Sequence, residues 1–173
     1  MGKIIFILGG ARSGKSTYAI ELAKKDKGKV AFIATCQALD KEMVRRINFH
    51  KKTRPKAWQT FEEPCEVPPL LNKIGAKFQV IIIDCLTLMV SNLVLKGLKE
   101  SVIEIKINRM LDVLNKIKAQ SIIVSNEVGL GIVPENKLAR DFRDIVGKIN
   151  QVVAKESDEL FFMISGIPLK IKN

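Results

Sequence analysis

The chain has 173 residues, 47% of them hydrophobic and 27% charged, a mixture typical of a folded globular protein rather than a disordered or fibrous one. This length predicts a single domain over residues 1–173. No apolar run reaches the roughly 18 residues that span a bilayer. The first apolar segment also begins too early to leave room for a signal peptide, so we expect a cytoplasmic protein without a membrane span.

Basic residues outnumber acidic ones, 29 Lys and Arg against 18 Asp and Glu, which gives a net charge of +11 and favours anionic partners. The sequence contains no run of five basic residues and no aromatic-plus-basic recognition motif, so nucleotides are favoured over nucleic acid. Three separated cysteines, no C-x-x-C pair and a single histidine argue against a structural zinc site or a disulfide framework.

A P-loop motif follows the first apolar segment. The pattern G-x-x-x-x-G-K-[ST] stands between a strand-like run and a helical pattern, as the motif requires, whereas a chance glycine turn needs neither flank. Glycines let backbone N–H groups face phosphate oxygens, the lysine reaches the outer phosphates, and the serine hydroxyl ligates Mg²⁺. The predicted phosphate-binding residues are Gly9, Gly10, Ala11, Arg12, Ser13, Gly14, Lys15 and Ser16.

A second buried strand is predicted over residues 30–34, after a helix that ends near Lys25. Strands that alternate with helices predict a parallel sheet, and such sheets bind ligands at the carboxyl ends of their strands. Thr35, Cys36 and Gln37 stand at that end. The spacing alone fits a ligand-binding position and an ordinary strand-ending threonine equally well.

The only histidine, His50, lies in a basic segment. Asp40 is a candidate N-cap for a helix that carries RINFHKKTRP, residues 46–55, and Pro55 places Arg54 at or beyond the end of that helix. A neutral imidazole is a good nucleophile toward phosphorus, and neighbouring cations would neutralise charge on the phosphates. The residues alone also fit an ordinary surface histidine, and they favour that second interpretation.

Carboxylates end the next two predicted strands. Residues 58–61 alternate as a short strand before Glu62 and Glu63, whose side chains can accept the paired N–H donors of a guanine edge or simply face solvent. Residues 78–84 form a Walker B pattern, because a fully apolar strand belongs in the centre of a parallel sheet. Asp84 at its end is predicted to join Ser16 in holding Mg²⁺.

The rest of the chain continues the alternation. A short helix is predicted to start at Pro68 and Pro69, further helices over 86–95, 101–118 and 136–156, and strands over 121–127 and 160–164. The apolar loop over 128–134 is a candidate substrate lip or subunit contact. These elements predict an α/β fold of the RecA-like P-loop NTPase class, in which helices flank a central, mostly parallel sheet in three layers.

Motifs along the whole chain resemble those of one enzyme family, the bifunctional adenosylcobinamide kinase/adenosylcobinamide-phosphate guanylyltransferases of cobalamin biosynthesis. The P-loop is common to many NTPases, whereas the segment 125–134 beside 140–144 is specific to this family. The motifs are GGARSGKS, R-I-x-x-H-K-x-x-R-P at 46–55, I-D-C-L-T at 83–87, S-N-E-V-G-x-G-I-V-P at 125–134, R-D-F-R-D at 140–144, N-Q at 150–151 and S-G at 165–166.

The resemblance implies two reactions. The first phosphorylates the aminopropanol hydroxyl of adenosylcobinamide, and the second transfers GMP from GTP to adenosylcobinamide phosphate with release of pyrophosphate. Family members carry GMP on a histidine, a role that only His50 can take here. Some relatives have two adjacent histidines, and Phe49 occupies the first of those positions in this chain. Were the first position the nucleophile, only the kinase step would remain, but the conserved spacing to Arg54 and Pro55 favours His50.

The resemblance also implies a set of ligands and contacts. GTP, ATP and Mg²⁺ are the implied cofactors, and a homotrimer with sites between subunits is the implied assembly. The implied catalytic residues are His50 and Lys15, with Ser16 and Asp84 at the metal. Beyond the P-loop, the implied nucleotide contacts are Ala34, Thr35, Cys36, Lys51, Lys52, Thr53, Arg54, Glu62 and Asp84.

Two other classes of protein fit part of this pattern. A P-loop kinase of small molecules would not need His50. A RecA-like NTPase that acts on nucleic acid would show hydrolysis stimulated by DNA or RNA and salt-sensitive binding.

Overall fold

A seven-stranded sheet with helices on both faces organises the chain. The computed structural model describes residues 2–38 and 41–173, with side chains at all of these positions except 42, 46 and 48–50. The strands are β1 (Ile4–Gly9), β2 (Val30–Ala34), β3 (Gln59–Glu62), β4 (Val80–Asp84), β5 (Gln120–Val124), β6 (Glu159–Ile164) and β7 (Ile167–Lys172). The α-helices are α1 (Lys15–Lys24), α2 (Lys41–Thr53), α3 (Val67–Ile74), α4 (Leu86–Leu95), α5 (Glu100–Lys116) and α6 (Lys137–Glu156), and a 3₁₀ turn covers Gly75–Lys77.

The strand order is β3-β2-β4-β5-β1-β6-β7. The first six strands in this order run parallel to their neighbours, and β7 alone pairs antiparallel, with β6. The carboxyl ends of β1, β2, β3, β4 and β5 therefore meet at one edge of the sheet. The confirmed α/β architecture thus brings together the P-loop after β1 and the polar residues that follow the other strands.

Apolar side chains on both faces of the sheet explain the layered arrangement. Along β1, Ile4 and Phe6 face a core shared with α3, α4, α5 and α6, whereas Ile5 and Ile7 face a second core under α1. Every residue of β1 and β2 is buried, as expected for strands covered on both sides. The sheet is the middle of three layers, as predicted from the sequence.

The predicted bounds of most elements agree with the structure to within a few residues. The strand Val30–Ala34 and the helix Leu86–Leu95 are confirmed residue for residue, and proline occupies the start of α3 as predicted. The strand predicted over 121–127 ends at Val124 instead, because the chain then leaves the ladder toward the loop before α6. The predicted N-cap at Asp40 lies outside the described residues.

Strand β7 is the element that sequence analysis missed. The last strand predicted from the sequence is 160–164, but Ile167–Lys172 also forms a strand, which pairs along β6 through a two-residue turn at Ser165 and Gly166. Pro168 obscured the strand pattern, since proline is tolerated in strands chiefly at edges, which is where β7 lies. No helix in the described part of the chain is long and apolar enough to cross a membrane.

Candidate active site at the carboxyl edge of the sheet

The P-loop bridges the buried strand β1 and the N-terminus of α1. Gly9, Arg12 and Gly14 have positive φ angles of 153°, 57° and 94°. Gly14 is the N-cap of α1 and its conformation is left-handed, with no side chain capping the helix. The first N–H groups of α1 are therefore available to an anion, which a helix N-terminus favours through its dipole.

Lys15 is buried within this loop, with only 7% of its surface exposed. Its Nζ atom donates to the carbonyl oxygen of Gly10 at 2.5 Å and lies 3.4 Å from Ser13 Oγ. Burial lowers the pKa of Lys15 because desolvation disfavours the ammonium, while the charge of the nearby Asp84 acts in the opposite direction. The loop thus holds a desolvated cation, which suits an anionic ligand such as phosphate.

Asp84 ends β4, the strand separated from β1 by β5. It is half-buried and lies in register with Ala34 of β2 and Val124 of β5. Ser16, the second residue of α1, is also half-buried. Within the described residues, no three His, Cys, Asp or Glu side chains cluster as a metal cage. A carboxylate and a hydroxyl instead suit Mg²⁺, which usually takes few protein ligands and completes its shell with phosphates and water.

The Thr35 side chain belongs to the scaffold. Thr35 is fully buried, and its hydroxyl donates to the carbonyl oxygen of Cys85 at 2.7 Å and accepts from Cys85 N–H at 2.8 Å. The hydroxyl uses its hydrogen and one of its two lone pairs in joining the ends of β2 and β4. One lone pair of the hydroxyl remains, so the nucleotide contact through Thr35 stays a prediction. Ala34 is buried beside it, and Cys36 is half-buried.

Burial also explains why the thiol of Cys85 is inert in this site. Desolvation, reinforced by the charge of Asp84, raises the pKa of Cys85 to about 12. The thiol is therefore protonated at neutral pH and adds no charge beside Lys15.

The basic segment after His50 reaches the same edge. Helix α2 contains position 50 in its last turns and ends at Thr53; the side chain of His50 lies outside the description. Lys51 Nζ pairs with Glu62 Oε1 at 2.5 Å, which joins the end of α2 to the end of β3. The helix backbone thus places position 50 next to a residue anchored at the carboxyl edge.

Arg54 is stacked on the sheet, with its guanidinium carbon 3.6 Å from the centroid of the Phe32 ring. Burial lowers the pKa of Arg54, and the carboxylates of Asp84 and Glu62 oppose that shift. Its Nε and one terminal nitrogen are buried and have no hydrogen-bond partner among the described atoms. The contact with an aromatic face compensates part of this desolvation.

A depression of about 440 Å³ lies beside Arg54. Its volume falls within the range of small-molecule sites. It combines an aromatic wall, three cations and a carboxylate, and its lining residues are Lys51, Arg54, Pro55, Lys56, Trp58, Thr60 and Glu62. Of the predicted nucleotide contacts, Lys51, Arg54 and Glu62 line it, whereas Lys52 and Thr53 are exposed on α2.

Comparison with known proteins identifies the family. Residues 5–171 match the family described as cobinamide kinase/cobinamide phosphate guanyltransferase. The chain belongs to this family. It is 39% identical to the bifunctional adenosylcobalamin biosynthesis protein CobU of Escherichia coli and 40% identical to that of Salmonella typhimurium, over 98% of this chain and 99% of each relative. It is also 39% identical to the protein CobP of Pseudomonas aeruginosa, over 96% of this chain and 95% of the relative.

This cobinamide kinase/guanyltransferase chain contains a buried polar network that the sequence analysis missed. Thr87 Oγ1 lies 2.9 Å from Ser125 Oγ, which donates to Asn150 Oδ1 at 2.8 Å. The network closes on Asn126, whose N–H donates to Thr87 Oγ1 and whose carbonyl accepts from Asn150 Nδ2. The network joins α4 and α6 to the residues that follow β5. The next residue, Glu127, donates its N–H to the carbonyl oxygen of Gly9 in the P-loop at 3.0 Å.

A second missed residue, Asn92, joins two loops at this edge. Its Nδ2 donates to the carbonyl oxygens of Thr35 at 2.8 Å and Pro64 at 3.0 Å. The signal was present in the sequence, because Thr87 and Asn92 are, with Ser91, the polar residues of the mostly apolar segment 86–95. Buried polar side chains in such a helix require specific partners.

Replacing Lys15 by Met is expected to stabilise the nucleotide-free protein at neutral pH and to weaken binding of a nucleoside triphosphate by about 100-fold or more, since it removes a charge-assisted phosphate contact. The stability gain follows from the lowered pKa of Lys15, which means that the folded state disfavours its ammonium. Urea unfolding near neutral pH and nucleotide titration measure the two effects. Lys24→Met, at an exposed position of the same helix, is the control.

The pH dependence provides a second readout of the same substitution. Between the lowered pKa of Lys15 in the folded state and its ordinary value of 10.5, the unfolded chain binds more protons than the folded chain. The contribution of Lys15 to the free energy of unfolding therefore rises with pH across that interval. The stability advantage of Lys15→Met should therefore shrink as the pH approaches 10.5. A Met variant that is less stable than the wild type at neutral pH would contradict this account.

Proposed function

We propose that this protein phosphorylates adenosylcobinamide and then transfers GMP from GTP to adenosylcobinamide phosphate, giving adenosylcobinamide-GDP. The observation that carries the proposal is the family match over residues 5–171, together with relatives named as bifunctional enzymes along nearly the whole chain. The P-loop and the depression beside Arg54 offer phosphate-binding and base-binding surfaces at one edge of the sheet. We also propose that the protein works in the cytoplasm.

In the kinase step, the residues Gly9–Ser16 would hold the triphosphate of ATP or GTP. The buried Lys15 ammonium would lie against the outer phosphates and neutralise the charge that develops as the γ-phosphoryl group leaves. Ser16 and Asp84 would hold Mg²⁺, which supplies charge neutralisation between the phosphates when bound. The substrate hydroxyl oxygen would form a bond to the γ-phosphorus, and the bond from the γ-phosphorus to the β,γ-bridging oxygen would break. The nucleoside diphosphate leaves, and the hydroxyl proton passes to solvent.

In the guanylyl step, His50 would attack the α-phosphorus of GTP. A bond forms between an imidazole nitrogen and phosphorus, the bond from the α-phosphorus to the bridging oxygen breaks, and pyrophosphate leaves. The phosphate of adenosylcobinamide phosphate would then displace the histidine and take the GMP. Support comes from α2, which carries position 50 and is joined to the carboxyl edge through the pair of Lys51 and Glu62.

Glu62 is the proposed guanine-recognition residue. Guanine presents two neighbouring N–H donors, and a carboxylate can accept both. The carboxylate of Glu62 lines the same depression as Trp58 and Arg54. Stacking of a base against the aromatic wall would leave its edge toward Glu62, which accounts for a preference for GTP in the guanylyl step.

A homotrimer with active sites between subunits is the proposed assembly. The chain exposes Ile167, Leu169 and Ile171 on one side of β7, with 70%, 52% and 59% of their surfaces accessible, and Ile132 in the loop after β5 is 95% exposed. Clustered exposed apolar side chains favour a protein contact.

Removal of the imidazole separates the two half-reactions. His50→Ala is expected to abolish the protein-bound label formed with α-labelled GTP and Mg²⁺, while phosphorylation of adenosylcobinamide continues, because only the guanylyl step needs the nucleophile. The label in the wild type should survive denaturation and be released by acid. A wild-type protein that phosphorylates adenosylcobinamide but takes up no label would contradict the guanylyl-histidine proposal and indicate a kinase without guanylyltransferase activity.

Glu62→Gln should relax the choice of base. Loss of the carboxylate leaves a paired guanine donor unsatisfied, so the preference for GTP over ATP in guanylyl or adenylyl labelling is expected to fall by about 10-fold to 100-fold. Initial rates with both nucleotides at equal concentration measure the ratio. Glu66→Gln, at an exposed carboxylate at the start of α3, is the matched control, and an unchanged ratio in the Glu62 variant would assign base recognition elsewhere.

Sedimentation equilibrium tests the assembly. We expect a mass three times that of the 19.3 kDa chain, and we expect Ile167→Asp to dissociate the assembly because a charge on the exposed row opposes burial. The Lys24→Met variant serves as the control for a surface change. A wild-type protein that is monomeric at micromolar concentration would refute the trimer, whereas the family assignment would stand.

A further inference from the structure

The turn between β6 and β7 contacts the P-loop directly. Ser165 and Gly166 form this two-residue turn, with φ angles of 50° and 88°, and positive φ at both positions is the pattern of a type I′ hairpin. The N–H of Gly166 donates to the carbonyl oxygen of Ser13 at 3.0 Å. We propose that this turn, which we call the C-terminal hairpin turn, is a positioning element that sets the P-loop in its triphosphate-binding conformation.

The hydrogen bond to Ser13 orients a phosphate-binding donor. In a trans peptide unit the C=O and the following N–H point in opposite directions. The carbonyl of Ser13 is held toward the hairpin, so the N–H of Gly14 is held pointing away from the hairpin. The inference rests on the proposed function, since it assumes that Gly9–Ser16 binds the triphosphate.

Close packing strengthens the connection between the two segments. A Cβ atom added to Gly14 would lie 3.2 Å from the Cα of Gly166 and 3.7 Å from Cε of Met163. One added to Gly9 would lie 2.7 Å from the carbonyl oxygen of Met163. The backbones of loop and hairpin are therefore in contact at both ends of the P-loop, and a displacement of the turn would move Gly14, the N-cap of α1.

The far end of the hairpin is anchored to the body of the protein. Lys170 Nζ pairs with Glu159 Oε1 at 2.8 Å across the two strands. Lys172 Nζ donates to the carbonyl oxygens of Lys155 at 2.7 Å and Ala154 at 3.2 Å, near the C-terminus of α6. The hairpin is held at both ends, by α6 and by the P-loop, so it can act as a brace.

A matched pair of glycine substitutions tests the proposal. Gly166 (φ 88°) and Gly97 (φ 77°) share a left-handed backbone, and an added Cβ meets nothing within 4 Å at either site. Alanine at either position should therefore lower the melting temperature to a similar extent. Only Gly166→Ala is expected to weaken binding of a fluorescent GTP analogue with Mg²⁺, by about three-fold to ten-fold in Kd.

A conservative variant separates positioning from stability. Asn tolerates positive φ, so Gly166→Asn should keep the turn and its N–H donor and bind the analogue nearly as tightly as the wild type. Equal affinities for Gly166→Ala and Gly97→Ala, in full-length protein below the melting temperature of both, would overturn the positioning role while leaving the proposed function intact. A wild-type protein that binds no GTP analogue would overturn both.

Discussion

The placement of β1 between two parallel neighbours is the constraint on which the site depends. β5 on one side and β6 on the other hold β1 in register up to Gly9, which pairs with Met163. The same two neighbours then contribute contacts beyond the strands, from Glu127 to Gly9 and from Gly166 to Ser13. The P-loop is thus held from outside through its carbonyl groups, and inside the loop the N–H of Ser13 donates to the carbonyl oxygen of Gly10 at 3.3 Å.

Hydrogen bonds of buried polar residues fix how the strands, helices and loops at this edge are joined, which non-directional apolar packing does not do. Thr35 joins the ends of β2 and β4, and Asn92 adds the loop after β3. Thr87 begins the second network, which joins α4 to β5 and α6. A buried hydroxyl or amide is costly unless it is bonded, so each of these networks has one favourable geometry. The edge of the sheet is consequently a preorganised surface.

Apolar patterns were sufficient to predict the alternation of strands and helices, because the central strands β1, β2, β4 and β5 are buried and read as apolar runs. They could not predict β7, because this exposed edge strand contains a proline and is held in place by pairing with β6 rather than by burial of apolar side chains. Motif spacing likewise predicted Lys15 and Asp84 near each other. It could not distinguish a ligand-binding Thr35 from a scaffold one, since that depends on which hydroxyl partner lies across the sheet.

The ion pair between Lys51 and Glu62 is weak enough for a ligand to replace it. Its side chains are 46% and 62% exposed, and an ion pair of that exposure contributes about 1 kcal/mol or less. A guanine edge that takes the Glu62 carboxylate would therefore displace Lys51 at small cost. The depression contains three cations and one carboxylate, so its net positive charge would attract the nucleotide of the proposed reaction, and Lys51 has only a weak partner to exchange for it.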